Sequence, residues 1–283
     1  MRRGGRVETG DRRLGHGGAT SHRLAISDLW SPISDLRSPI PDLCPESGGR
    51  RVEIENRRRD FNRRLLAVVA RGWLALRYRV LSRRYDRLVL EEIDGVPLVV
   101  LPQVFNPVLL RTGAFLARVV TALPLPAGAA VLDLGAGSGV GAIFAARRGA
   151  SVIAVDINPE AVRCARINAL LNHLDHAIEA RQGDLFAPVA AARFDLILFN
   201  PPFYRGRPRR PLDHAWRGED VFERFSAGLA GHLKPGGQAL LILSSDGAGD
   251  ELLANLRAAG FQQQVVARQD LINEILTAYR ITR

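Results

Sequence analysis

The stretch Val131-Leu132-Asp133-Leu134-Gly135-Ala136-Gly137-Ser138-Gly139 decides how this chain is read. Its first four residues form an apolar, strand-forming run, and the glycines after them turn the chain into residues 140–148, whose pattern is helical. Glycines in such a turn let the backbone approach a ligand closely, and the helix behind offers unpaired N–H groups. On its own this is a generic nucleotide-site pattern, with a ligand-free turn as the alternative. The dinucleotide fingerprint is not met, because Val140 stands where its third glycine belongs. A hydride-transfer enzyme is therefore the least favoured class.

Working outward, apolar runs predict strands at 130–134, 151–155, 178–182, 195–199, 238–243, 262–267 and 275–281. Helical patterns fall between them at 140–148, 159–172, 219–233 and 249–259. This alternation predicts an α/β fold, a Rossmann-like sheet of seven strands with helices on both faces, over residues 123–283. Residues 56–122 read as a basic helix, a hairpin turning at Asp94-Gly95 and a covering helix at 108–122. The first 55 residues are rich in Arg, Gly, Ser and Pro, with an imperfect seven-residue repeat that carries Pro in each unit. Proline breaks helices, so the repeat is not a coiled-coil heptad, and the extension is expected to be disordered.

Three further positions fall on the edge of the sheet that carries the glycine turn. Asp156 ends the second strand, where an acid can accept from both ribose hydroxyls of an adenosyl ligand. Asn158 is the better candidate to cap the helix that follows. Asp184 follows the third strand and is placed to accept from an adenine amino group, with Ile157 and Leu185 lining the ring; alone it is an ordinary turn residue. After the fourth strand comes Asn200-Pro201-Pro202-Phe203. The prolines stop the strand and stiffen the backbone. The Asn200 side-chain carbonyl and a neighbouring main-chain carbonyl can then both accept from one –NH2 group, while Phe203 lies against the plane that bears it. Two acceptors aim the nitrogen lone pair, which suits alkylation of an amide or aromatic amine where geometry replaces a strong base.

Together, Leu132 to Gly139, Asp156, Asp184 and Asn200-Pro201-Pro202-Phe203 resemble a class I S-adenosylmethionine-dependent methyltransferase. The Asn-Pro-Pro-aromatic (NPPF) motif is similar to that of enzymes that methylate amide or exocyclic amino nitrogens. Within them the chain most resembles the HemK-like group, which modifies the Gly-Gly-Gln glutamine of peptide-chain release factors. Val104-Phe105-Asn106-Pro107 through Arg111-Thr112 resembles that group's segment over cofactor and substrate, and His214 to Asp220 its later loop. The resemblance implies S-adenosyl-L-methionine as cofactor. It places Gly135, Gly137 and Gly139 under the methionine moiety and Asp133 toward its amino group. Asp156 falls on the ribose, Asp184 on the adenine, and Asn200 beneath the sulfonium methyl. Where the group has an acid, a second glycine and usually tyrosine, this chain has Arg111, Glu219 and Phe203. The acceptor stays open between a protein glutamine and an RNA or DNA amine (adenine N6 or guanine N2). A non-catalytic binding module is the remaining alternative, and the intact NPPF motif opposes it.

Composition bounds the rest. Only Cys44 and Cys164 occur, so neither a disulfide framework nor a zinc site is expected, and a cytoplasmic location is the default. No apolar run approaches the ~20 residues of a spanning helix, so no membrane insertion is expected. The net charge of +10 lies wholly in residues 1–90, which hold 20 Arg against 10 acids, while residues 91–283 are neutral. A basic arm can bind nucleic acid. With 38 Arg to the single Lys234, coding bias is the competing explanation. Lys234-Pro235-Gly236-Gly237-Gln238 contains Gly-Gly-Gln but reads as a turn, and His214 and His232 read as surface residues. The repeat further suggests a start of translation downstream of Met1. Intact-mass analysis of the native protein is expected to fall short of 31.0 kDa, and the full mass contradicts this.

Overall fold

The computed structural model describes residues 87–109, 111–207, 217–271 and 274–283. The predicted extension, the basic helix and the loop residues 208–216 lie outside the described residues.

The first described elements are β1 (Val89–Ile93) and β2 (Val96–Val100), an antiparallel pair. Their turn has Asp94 at φ 48° and Gly95 at φ 78°. Two successive positive φ values match the twist of a hairpin, which is why Asp-Gly marks such turns. The covering helix α1 (Thr112–Ala122) begins four residues later than its apolar pattern suggests. The Asn106 side chain explains the delay: its carbonyl accepts from the N–H groups of Val108 and Leu109, and its amide donates to Glu91. These bonds hold the residues after Pro107 as a turn, and Arg111 at φ 61° then sets the helix start.

Next come β3 (Ala130–Leu134), α2 (Val140–Ala146), β4 (Ser151–Asp156), α3 (Pro159–Leu171), β5 (Ile178–Gln182) and β6 (Phe194–Phe199). They are followed by α4 (Val221–His232), β9 (Leu233–Ser244), α5 (Gly249–Ala258), β10 (Gln262–Asp270) and β11 (Ile275–Thr282), with a short parallel pair, β7 (Tyr204–Arg205) and β8 (Arg217–Gly218), between β6 and α4. The seven-stranded sheet has the order β10-β11-β9-β6-β3-β4-β5. Its five strands from β9 to β5 are parallel, and β11 and β10 are antiparallel. The predicted architecture is therefore the observed one. β9 starts at Leu233 rather than at 238, so Pro235-Gly236-Gly237 lies in the irregular beginning of a strand, where Gly236 has φ 75°.

Successive residues of a strand face opposite sides, and here both sides are covered. Val131, Leu196 and Leu198 pack with Phe115, Ile143 and Phe144. Leu132, Leu134, Ile197 and Phe199 pack with Phe225, Leu229 and Leu252. That double burial is why these strands read as continuous apolar runs. Connections leave β3 toward β4 on one side and reach β6 on the other, so the switch point lies at the carboxyl ends of β3 and β6.

α1 is seated by a close approach. A Cβ at Gly113 would stand 2.2 Å from the Pro107 Cβ and 2.8 Å from its Cα. Gly113→Ala gains about 1 kcal/mol of helix propensity. Overpacking against backbone costs about 1–3 kcal/mol, so the steric term prevails. The variant is expected to melt several degrees below the wild type by circular dichroism, and an equal or higher melting temperature contradicts the packing described.

Candidate functional site

The site is built from the turns at the carboxyl ends of β3, β4, β5 and β6. After β3, Gly137 has φ 55° and Gly139 has φ 83°, a region that side-chain-bearing residues rarely adopt. A Cβ at Gly139 would also meet Ala165 at 3.1 Å, so this turn rests directly on α3. At Gly135 a Cβ would meet no protein atom within 4 Å, because that residue faces open space at the cavity.

Asp156 closes β4. One carboxylate oxygen accepts from the Gly137 N–H at 2.8 Å and the other from the Asn158 N–H at 2.8 Å. Asn158 caps α3 by accepting from Glu160 N–H at 3.0 Å, and its amide donates to the Gln103 carbonyl at 2.8 Å. Asp184, after β5, is ion-paired with Arg224 at 2.6 Å, and Arg224 also meets Asp220 one helical turn away at 3.1 Å.

Asn200 follows β6. Its amide nitrogen donates to the hydroxyl of the buried Thr112 at 3.4 Å, across 88 residues of sequence. Its Oδ1 is buried and has no hydrogen-bond partner among the described residues. A buried acceptor left unpaired costs about 1–3 kcal/mol, and such a group in a cleft is suited to an N–H donor brought by a ligand.

These turns surround a cavity of about 460 Å³, a volume ordinary for small-molecule sites. Gly135, Gly137, Asp156, Ile157, Asp184, Leu185, Asn200 and Pro202 line it, so eight of the sequence-predicted residues come together. Asp133, Gly139, Pro201 and Phe203 do not line it. Asp133 is buried behind the glycine turn, where its carboxylate accepts from the Ala142 N–H at 2.8 Å in the first turn of α2. Pro201 is buried. The Phe203 carbonyl accepts from Ala248 N–H at 2.9 Å, anchoring the turn to the start of α5.

Sequence reasoning missed Gln103 and Arg224, which also border the cavity; Phe105, Arg217 and Asp220 fall in the two segments that the resemblance singled out, and Arg207 in the loop expected beside the site. The Asp220–Arg224 spacing at a helix start was a legible signal for one of them. No spacing rule links Gln103 to a turn 55 residues later. Among the described residues there is no group of metal-ligating side chains and no helix long and apolar enough to cross a membrane.

The residues present fit an adenosyl sulfonium ligand. Open space lies over Gly135, an acid stands at the end of β4, and an unpaired acceptor waits at Asn200. Burial raises the Asp133 carboxyl to about 7. The Ala142 N–H bond pulls it back in part, and the nearby Asp156 charge raises it again.

Residues 97–270 match the family described as methyltransferase small domain. A Methanocaldococcus jannaschii protein, provisionally named a protein N5-glutamine methyltransferase, is 31% identical over 202 residues, covering 67% of this chain and 98% of that protein. A release factor glutamine methyltransferase of Deinococcus radiodurans is 38% identical over 155 residues, covering 50% of this chain and 54% of that protein. Among solved structures, a T. thermophilus 16S rRNA methyltransferase in complex with AdoMet and guanosine aligns at TM-score 0.51 and 26% identity, covering 70% of this chain and 50% of that one. The chain thus spans nearly all of the first relative and about half of the other two.

The Asp133 environment predicts a pH dependence. Its folded value of about 7 lies above the ordinary 3.8, so the folded state holds a proton that the unfolded chain releases. This contribution to stability is full below about pH 4, falls as pH rises and is lost above about pH 7. Asp133→Asn is expected to lose less stability between pH 5 and pH 8 than the wild type in parallel urea titrations. Equal losses contradict the buried, protonatable carboxyl.

Proposed function

The chain belongs to the methyltransferase small domain family as a HemK-like, S-adenosylmethionine-dependent enzyme, and we propose that it methylates the side-chain amide nitrogen of a protein glutamine, with a release factor as its substrate. The observation that carries this reading is the buried Oδ1 of Asn200 at the cavity, which has no partner among the described residues. An acceptor in that position selects a substrate that brings N–H donors. It suits a neutral –NH2 group, whose two hydrogens can meet two carbonyls while the lone pair is held toward an electrophile.

S-Adenosylmethionine supplies an electrophilic methyl on a sulfonium that leaves as a neutral thioether. In the proposed arrangement the glycine turn accommodates the methionine moiety, with Asp133 behind it and Gly139 shaping the turn. Asp156 accepts from the ribose, and Ile157 and Leu185 line the adenine beside Asp184. The Asp184–Arg224 ion pair places a guanidinium at this end of the cavity, so Asp184 would share its oxygens between Arg224 and an adenine amino group. Asn200 Oδ1 then accepts from the substrate nitrogen, while the Asn200 amide, donating to Thr112, keeps that oxygen turned to the substrate. Pro201 and Pro202 hold the backbone stiff, and Phe203, which lies outside the cavity lining, would need to turn toward it to meet the substrate plane. As the nitrogen is alkylated it gives up one proton to solvent.

Charge around the cavity supports a protein acceptor. Arg207, Arg217 and Arg224 are balanced by Asp156, Asp184, Glu219 and Asp220, and Arg224 is itself held between two acids. A nucleic-acid track needs surplus cations to displace counterions from phosphate. The M. jannaschii and D. radiodurans relatives, named for glutamine methylation, support the same reading. An RNA or DNA amine is the second reading, favoured by the +10 charge of residues 1–90 and by the rRNA methyltransferase neighbour.

Incubation with methyl-labelled S-adenosylmethionine and cell lysate, followed by separate protease and nuclease digestion, tests the proposal. Label released by protease alone is expected, and label released by nuclease alone overturns the glutamine assignment. Asn200→Ala is expected to lower methyl transfer by about 10²–10³-fold, as when a transition-state hydrogen-bonding group is removed. Its cofactor affinity should change far less, and equal loss of both contradicts the role given to Asn200.

A further inference from the structure

The glycine turn is tied by two separate routes to the chain that precedes it. One runs from Gly137 through Asp156 and Asn158 to the Gln103 carbonyl, entirely at the cavity wall. The other runs through α3. Asn168 is fully buried, and its amide is completely committed. Its Oδ1 accepts from the Val99 N–H at 2.7 Å, and its two N–H bonds reach the Val99 carbonyl at 2.7 Å and the Ser138 carbonyl at 2.9 Å. Val99 lies in β2, and Ser138 lies in the glycine turn itself.

We propose that Asn168 is a positioning residue for cofactor binding, setting the shape of the 135–139 turn by clamping it to the β1–β2 hairpin across α3. The outer edge of β2 receives from Asn168 the donor and acceptor that a neighbouring strand would offer, so the hairpin is held on α3 as though it were part of a sheet. The same amide orients the Ser138 peptide unit, whose neighbours Gly137 and Gly139 sit at positive φ, where small rotations change the shape of the turn that lines the cavity. α3 cannot drift relative to this turn, because Gly139 already packs on Ala165, one turn before Asn168. The hairpin is thus part of the cofactor site, and what loosens it at Val99 loosens the turn. A neighbouring residue provides an internal control: Asn172 donates to the Pro97 carbonyl of the same hairpin at 3.0 Å but bonds no atom of the turn.

The inference rests on the cavity being the S-adenosylmethionine site, so the test measures binding directly. Calorimetric titration of the full chain with S-adenosylhomocysteine is compared for wild type, Asn168→Asp, Asn168→Ser and Asn172→Ala. Both Asn168 variants are expected to bind about tenfold more weakly, the scale of one buried hydrogen bond. Methyl transfer at saturating cofactor should remain within about threefold of wild type, the pattern of lost ground-state binding. Asn172→Ala should match wild type. Asn168→Ser introduces no buried charge and carries the comparison if Asn168→Asp lacks a cooperative melt. Undiminished affinity in a cooperatively folded Asn168 variant overturns the inference, as does an equal loss in Asn172→Ala. Absence of binding by the wild type overturns the cofactor reading and this inference with it.

Discussion

One carboxylate holds the site together. Asp156 accepts from the Gly137 N–H with one oxygen and from the Asn158 N–H with the other, while its main-chain carbonyl accepts from Gly183 N–H at 3.0 Å. The turns after β3, β4 and β5 therefore share a single residue. Asn158 extends the arrangement to Gln103, in the segment that covers the cavity. Parallel strands bring these turns to one edge of the sheet, but strand pairing alone leaves each turn free to choose its own shape. The short, charge-assisted bonds of Asp156 remove that freedom.

The molecule tolerates two polar groups that an apolar core would reject. Asp133 is 3% exposed, and burial pushes its carboxyl up to about 7 even though it accepts from the Ala142 N–H. Asn200 presents a buried oxygen with no partner among the described residues. Each is an expense of the order of 1–3 kcal/mol, carried by strands buried on both faces, where Leu132, Leu134, Ile197 and Leu198 are fully enclosed. Asn200 lies at the cavity, where a ligand can satisfy it, and Asp133 lies behind the glycine turn.

Much of this was legible in the chain. Asp94-Gly95 announced its hairpin because the turn's φ requirements are local. The seven strands were readable because continuous apolar runs are what double burial demands. The start of α1 was misjudged because a distant consideration entered: the Asn106 side chain outcompetes the helix for the N–H groups of Val108 and Leu109. β9 was read short because Gly236-Gly237 looks like a turn, whereas Leu233 pairs with Phe194 and draws the glycines into the strand's irregular start.

For the site, the sequence by itself determined the chemical vocabulary: a glycine turn, acids at strand ends and an asparagine held by two prolines. Those follow from local rules of backbone freedom and side-chain donors and acceptors. Only the tertiary structure decided which groups are already spoken for. Asp184 is engaged by Arg224, Asn200 is oriented by Thr112 from 88 residues away, and Asn168 joins a hairpin to a turn. Such partnerships have no sequence period, because they arise from the order in which parallel strands are laid side by side, and that order places residues far apart in the chain within one hydrogen bond of each other.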